Sequence, residues 1–291
     1  TARAWRDFAR RPPDAIIASG GYLSGPVVLA GWARRVPIVL FAGDYALALG
    51  TRVMAPLVNV LTTSFEESRR QVLGPRVELT GYPLRAAFLS ADPDVGRRQL
   101  EIAEHDRLLL VMGGSQGAHA INEAVRGGLR RLVRAAVVVH MAGRAELPAM
   151  TAARDQLPRD ERARYRPFGF VQEGFASLLA AADLVVCRAG ATTVAELGAV
   201  GVPAVIVPFR FGRAHQVQTA RAVEAAGAAV VVEEHELPSG RLIDASIEML
   251  TNGERLARMR AASAARGRPD AAGAVARIAI DLATARTGRT R

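Results

Sequence analysis

The chain has 291 residues, 50% hydrophobic and 23% charged, a globular composition long enough for about two domains. Aromatic residues are only 5%, which argues against base-stacking surfaces, and we expect no nucleic-acid partner. The formal charge of +10 is carried by Arg, since the sequence has no Lys, and favours phosphates, nucleotides or an anionic membrane face; the single Cys excludes an internal disulfide.

Taken in chain order, short apolar, β-branched runs alternate with longer Ala/Leu/Arg stretches of helical pattern. Asp14–Ala18, Pro37–Phe41, Val58–Thr62 and Val77–Thr80 read as buried parallel strands. A second series follows at Leu108–Met112, Ala136–His140, Tyr165–Phe168, Leu184–Cys187, Ala204–Val207 and Ala228–Val232. Helices are expected between them, among them Ala118–Val133, Phe175–Ala181, Thr193–Val200 and Gln216–Ala226. This alternation predicts α/β architecture: two open, doubly wound parallel sheets, each a Rossmann-like domain. We expect the first domain over 1–88, the second over 89–265, and a helical tail over 266–291 packing back toward the first. The Pro-containing segment Gly81–Arg98 reads as their connection. The first sheet has about four strands against about six in the second, so we expect its opening units to lie ahead of Thr1. No run reaches the ~18 consecutive apolar residues of a membrane-spanning helix.

Four glycine-bearing turns fall directly after predicted strands, where open α/β sheets bind ligands. The first is Gly20-Gly21-Tyr22-Leu23-Ser24-Gly25-Pro26. The second is Gly113-Gly114-Ser115-Gln116-Gly117, followed at once by a helix. Its glycines let backbone approach a ligand, and the helix N-terminus offers free N–H groups, a combination suited to a diphosphate. The third is Cys187-Arg-Ala-Gly190-Ala-Thr192-Thr193, where Thr192 or Thr193 is expected to cap the helix and Glu196 lies one turn in. A carboxylate there can accept both hydrogen bonds of a ribose diol. The fourth is Pro208-Phe-Arg-Phe-Gly, entering a helix at His215-Gln216, two polar groups suited to sugar hydroxyls. Ligand-free turns and ordinary first-turn residues share these local patterns. Asp92-Pro-Asp94 imitates a metal-binding Asp-X-Asp but sits in the connection, and the five His show no ligand spacing, so no metal is expected. Cys187 ends a buried strand and reads as inert.

At Gly113-Gly-Ser-Gln-Gly-Ala, Cys187-Arg-Ala-Gly-Ala-Thr-Thr-Val-Ala-Glu and Gly20-Gly-Tyr-Leu-Ser-Gly-Pro, the sequence resembles the undecaprenyldiphospho-muramoylpentapeptide β-N-acetylglucosaminyltransferase family, glycosyltransferase family 28. The likeness runs nearly end to end. It implies a GT-B fold of two facing Rossmann-like domains and metal-independent, inverting transfer of N-acetylglucosamine from UDP-GlcNAc. The implied acceptor is a polyprenyl-diphosphate-linked muramoyl-pentapeptide at the cytoplasmic side of the bacterial plasma membrane. By the same resemblance Ser115, Gln116 and Gly117 meet the diphosphate with Gly113, Gly114, Gly190 and Thr192 in the supporting loops. Val171 presents backbone to uracil, Glu196 holds the ribose, His215 and Gln216 the donor sugar, and Arg85 reaches the diphosphate from the first domain. Tyr22 and Asn122 match positions that support activity. The family's first glycine loop, with its His, has no counterpart, so the base is expected ahead of Thr1. The family's His-Glu-Gln-Asn reads Phe41-Ala42-Gly43-Asp44, which leaves Asp44 as a weak candidate base.

Trp5 and Trp32, the only two tryptophans, fall where the family has an apolar patch, with Arg3, Arg6, Arg34 and Arg35 nearby; together they read as a docking surface for anionic lipid. Other readings of the same turns stay open: another UDP-sugar enzyme (a glycolipid synthase or UDP-GlcNAc 2-epimerase), or a non-catalytic nucleotide-sugar module needing a partner chain.

Overall fold

A computed structural model describes all residues except 1, 22, 73, 114–117, 210–213 and 289–291, and the side chains of 2–4, 214 and 215. Tyr22, Gly114, Ser115, Gln116 and Gly117, and the side chains of Arg3 and His215, therefore lie outside the described residues.

The chain forms two compact units, one of residues 1–84 with 268–291, the other of 85–267. In the first, β1 (Ile16–Ala18), β2 (Ile38–Ala42), β3 (Val60–Thr63) and β4 (Arg76–Leu79) form a parallel sheet in sequence order. Helices α1 (Ala2–Arg10), α2 (Ser24–Ala33) and α3 (Leu49–Met54) accompany it. Ile16, Ile38, Leu40 and Leu61 make its core with Val28 of α2, while Val39 on β2 packs against Val275 and Ala279 of the long C-terminal helix Ala271–Thr287. Arg286 of that helix donates to the Pro13 carbonyl (2.6 Å).

The second unit holds α4 (Pro93–Gln99), β5 (Leu108–Met112), α5 (His119–Ala135), β6 (Val137–Met141), α6 (Leu147–Asp155), β7 (Tyr165–Phe168) and α7 (Phe175–Ala181). It continues with β8 (Leu184–Cys187), α8 (Ala191–Val200), β9 (Ala204–Ile206), α9 (Ala214–Ala225), β10 (Ala229–Val231), α10 (Arg241–Thr251) and α11 (Gly253–Ala265); the C-terminal helix is α12. The six strands are parallel in the order β10-β9-β8-β5-β6-β7. Every residue of β5 and β8 is buried, which is why those runs are continuously apolar. The order reverses between β5 and β8, and that is the switch point at which such sheets open a crevice.

The segment read as a connection contains α4 and a short 3-10 turn, Ala86–Phe88, which packs in the second unit through an edge-on contact of Phe88 with Phe175 (ring centroids 6.2 Å apart). Arg85, expected to reach from the first domain, thus opens the second unit. The Asp92-Pro-Asp94 sequence has a structural use: Asp92 caps α4 by accepting from the Asp94 N–H (2.9 Å). Gly96 lets α4 close on α7, since a Cβ there meets the Ser177 carbonyl and Ala181 Cβ. In an exposed helix Gly→Ala gains about 1 kcal/mol. Here Gly96→Ala is expected to cost about 1–3 kcal/mol from overpacking. Chemical denaturation reads this directly, and a midpoint at or above the parent's contradicts it.

Candidate nucleotide-sugar site

Leu109, Leu110 and Val111 of β5 pair with Leu184, Val185 and Val186 of β8, so the two strands end side by side. The glycine turns at Gly113 and Gly190 therefore start from adjacent strands at the switch point. Helix α8 begins at Ala191 with Gly190 as its N-cap and no side-chain cap. The expected cap by Thr192 or Thr193 is thus corrected: the helix starts two residues earlier than Thr193, which places both threonines inside its first turn, Thr192 exposed. The first helical bond runs from Val194 N to Gly190 O (2.9 Å), so the N–H groups of Ala191, Thr192 and Thr193 have no helical partner and point toward the turn.

Glu196 is half-buried, and no described residue donates a hydrogen bond to its carboxylate. Burial pushes its carboxyl up to about 7, with the Arg85 charge pulling the other way. Arg85 is exposed, lies with Cζ 5.6 Å from the Phe88 ring centre, and shares a recess of about 160 Å³ with Gln172, Gly174 and Ser177. Next to that recess, the backbone N–H and C=O of Val171 make no hydrogen bond among the described residues, beside a Phe170 that is 56% exposed. These are open backbone groups of the kind a base edge pairs with.

Asn122, expected to support activity, and Gln216, expected to meet the donor sugar, both make hydrogen bonds within the fold. Asn122 is fully buried: its Nδ2 donates to the Ala142 carbonyl (2.9 Å) and its Oδ1 lies 3.0 Å from His140 Nε2. Since the Asn amide nitrogen is spent on Ala142, Oδ1 is the acceptor and His140 Nε2 carries the proton; Nδ1 then accepts from the Tyr165 hydroxyl (2.8 Å). Burial holds the imidazole neutral, pushed down to about 4, and raises the Tyr165 phenol well above its usual range. The network ties the first turn of α5 to the end of β6, at His140 and Ala142, and to the start of β7 at Tyr165. Gln216 is also buried, and its Oε1 accepts from the Phe209 N–H (3.1 Å), holding the turn after β9.

Sequence reading gave no separate role to Arg188. It lies half-buried after β8, pairs with Glu234 (2.5 Å), donates to the Val207 carbonyl (3.2 Å) and stacks on Phe209, joining the turns after β8 and β9. Its signal was an Arg immediately after a buried strand. Cys187 is buried and its thiol is pushed up to about 12, mainly by burial, so it stays protonated and unreactive. One group of possible ligand atoms, with a single histidine and two glutamates, stands outside that reading of the histidines. His119, Glu123 and Glu146 bring their ligand atoms within 4.8 Å of one another, His119 at i, i+4 from Glu123 across one turn of α5. Arg126 already pairs with Glu123, and Glu146 with His119 (2.9 Å), so a cation there would displace both partners.

In the first unit, Asp44 is exposed beyond β2. The loop before it is shaped by Tyr82, whose ring lies edge-on to Phe41 (5.3 Å) and fills the space a side chain at Gly43 would need. Trp5 and Trp32 are 49% and 55% exposed, with the Arg34 guanidinium 4.9 Å from the Trp5 ring centre. Leu29, Leu49 and Val53 are also exposed on α2 and α3, and Arg6, Arg35 and Arg52 are exposed alongside.

Two open parallel sheets, with glycine turns and uncapped helix N-termini at the switch point of the second, define a GT-B glycosyltransferase. Residues 108–275 match the glycosyltransferase family 28 C-terminal domain. The chain is 38% identical, over 97% of its length, to the UDP-N-acetylglucosamine--N-acetylmuramyl-(pentapeptide) pyrophosphoryl-undecaprenol N-acetylglucosamine transferase of Salinibacter ruber, covering 75% of that protein. It is 36% identical to the enzyme of the same name from Moorella thermoacetica, over 98% of this chain and 78% of that one. The chain belongs to glycosyltransferase family 28. In fold it is similar to Acinetobacter baumannii MurG (TM-score 0.77, 23% identity, 96% of this chain and 76% of that one). A UDP-GlcNAc 2-epimerase from Neisseria meningitidis, solved with UDP-GlcNAc bound, shares the fold more distantly (TM-score 0.66, 13% identity, 96% and 80%).

Proposed function

We propose that the chain transfers N-acetylglucosamine from UDP-GlcNAc to the 4-hydroxyl of a polyprenyl-diphosphate-linked muramoyl-pentapeptide. The acceptor oxygen attacks the anomeric carbon from the face opposite UDP, the bond to the β-phosphate breaks, and UDP leaves with the electron pair. A base takes the hydroxyl proton, and Asp44 is the candidate this sequence offers. The reading rests above all on the turns at Gly113 and Gly190 starting from adjacent strands, with the uncapped N–H groups that open α8 suited to a diphosphate. In this reading Val171 backbone pairs with uracil, Glu196 holds the ribose, and Arg85 with the α8 N-terminus meets the growing charge on UDP without a metal. Asn122 and Gln216 serve by holding the loops. Release of UDP from UDP-GlcNAc, measured with and without lipid-linked acceptor, tests the function. Acceptor-dependent release is expected; turnover to an isomerised sugar without acceptor would favour an epimerase, and no heat of UDP binding to folded protein would sink the nucleotide site itself.

The ribose role of Glu196 has a pH signature. Two hydrogen bonds from a diol need the ionised carboxylate. With the carboxyl near 7, about one tenth is ionised at pH 6 and about nine tenths at pH 8, so UDP affinity should rise about tenfold across that interval, with proton release on binding. Because the folded-state value is raised from 4.5, its contribution to stability is present below that pH and is lost as pH rises through about 7. Calorimetry in buffers of different ionisation enthalpy reads the proton; a flat affinity from pH 6 to 8 excludes Glu196 as the diol acceptor.

The exposed Trp5, Leu29, Trp32, Leu49 and Val53, with Arg6, Arg35 and Arg52, fit docking on the anionic cytoplasmic face of a bacterial plasma membrane. Among the described residues no helix is long and apolar enough to cross it. Trp32→Glu is expected to weaken binding to vesicles containing anionic lipid by at least about tenfold, since it removes an interfacial anchor and adds a repelled charge. Co-sedimentation equal to the parent's would remove this surface from the proposal.

A further inference from the structure

At the opposite end of the second sheet from the glycine turns lies a pocket of about 420 Å³, lined by Phe88, Leu89, Arg97, Ala181, Asp183 and Arg260 among others. It opens where β5 and β8 begin, about 16 Å along the strands from Gly113. Its electrostatics are unbalanced. Three guanidinium groups surround one carboxylate. Arg107 donates to Asp183 Oδ1 (2.8 Å), Arg97 lies 3.6 Å from Oδ2, and the charge of Arg260 also acts on Asp183. Oδ2 meanwhile accepts from the Leu108 N–H (2.8 Å).

The two lining arginines differ. Arg97 is a half-buried staple that donates to the carbonyls of Ala103 (2.9 Å), Asp106 and Ala181 (3.4 Å), while its Nε is buried with no partner among the described residues. Arg260 is half-buried, and among the described residues its one hydrogen bond is to the Ala182 carbonyl (2.7 Å). Burial holds its guanidinium below the usual range; Asp183 opposes that shift and Arg107 adds to it. The formal local charge is +2. The C-terminal ends of α7 and α8, which reach the pocket at Ala181 and Val200, together offset about one unit of this. About one positive charge is left uncompensated in a recess with apolar walls. A half-buried guanidinium in that setting gains most from a charge-assisted, bidentate acceptor.

We propose that this pocket binds a small oxyanion of the phosphate class between Arg260 and Arg97. The anion bridges α4 and α11 across the start of β8, and it is separate from the nucleotide turns. Free phosphate and the phosphate of a lipid headgroup offer the same chemistry.

The test titrates the whole chain with inorganic phosphate at constant ionic strength set with chloride. A parallel arm uses phosphatidylcholine vesicles with and without phosphatidic acid. Saturable phosphate binding in the millimolar range (about 1 mM, the weak end of specific affinity) is expected, with a rise in melting temperature. Arg260→Gln should weaken it at least about tenfold. Ala199→Glu, which puts a carboxylate on the pocket wall, should block phosphate while melting at or above the parent's temperature in chloride, so loss of binding is not loss of fold. Phosphate binding lost in both variants assigns a free anion. The vesicle arm is run in the Trp32→Glu background, which weakens the separate docking surface, and phosphatidic-acid-dependent binding that is lost there in both pocket variants assigns a lipid headgroup. Binding in both arms that survives Arg260→Gln, or absent from both arms in the parent, overturns the proposal.

Discussion

Replacing Glu196 with Ala is expected to lower kcat/KM for UDP-GlcNAc about 100-fold, nearly all of it through KM. A hydrogen bond to a charged group contributes about 1.5–3 kcal/mol. Two such bonds to one diol, less the cost of desolvating a half-buried carboxylate, leave about 3 kcal/mol, and 1.4 kcal/mol is tenfold. The ribose is remote from the bond being broken, so the loss is of uniform binding and kcat should change little. Glu196→Gln keeps one acceptor and no titration. It should lose less affinity than Glu196→Ala, and its affinity should no longer depend on pH between 6 and 8. Neither variant should melt far below the parent, since no described residue leans on this carboxylate by a hydrogen bond. Steady-state kinetics with a kcat/KM within about threefold of the parent would remove Glu196 from the site.

The largest stability loss is expected at Asn122. Asn122→Ala leaves the His140 Nε2–H and the Ala142 carbonyl without partners in a fully buried place, at about 1–3 kcal/mol each. The sum, about 3–4 kcal/mol, corresponds to a fall in melting temperature of roughly 8–12 °C for a unit of this size. Tyr165→Phe removes only the donor to His140 Nδ1 and should cost about 1 kcal/mol. Activity should fall in Asn122→Ala through displacement of the loop after β6, because the network joins α5 to that strand's end at His140 and Ala142. Scanning calorimetry of both variants checks the order; an Asn122→Ala protein melting within about 2 °C of the parent would show the network is dispensable.

Much of this was legible in the residues themselves. Leu108–Met112 and Leu184–Cys187 are covered on both faces, so their apolar runs gave the strands without ambiguity. The edges were harder: β1 pairs Ile16 to Ala18 only, since Asp14 has no sheet partner to demand strand geometry. Asn122 was named for its match to a position that supports activity in the family the sequence resembles. Its spacing carried another message, for it lies with Ala118, Ile121, Val125 and Leu129 on the apolar stripe of α5. Gln216 likewise shares a buried face with Thr219, Ala220 and Val223. The environment of Glu196 was not legible, because it depends on burial and on Arg85, over a hundred residues upstream. The Arg97–Asp183–Arg260 cluster was equally hidden, being assembled from three distant segments with no local pattern.

The placement of α12 bears on how the chain is made. The second unit is one uninterrupted stretch, whereas in the first Val39 of β2 lacks its contacts with Val275 and Ala279 until Ala271–Thr287 has left the ribosome. Domains usually acquire structure in the order of synthesis. Here the order is inverted for completion: the later-made unit can close first, and the earlier-made one waits for α12 to complete the cluster around Val39.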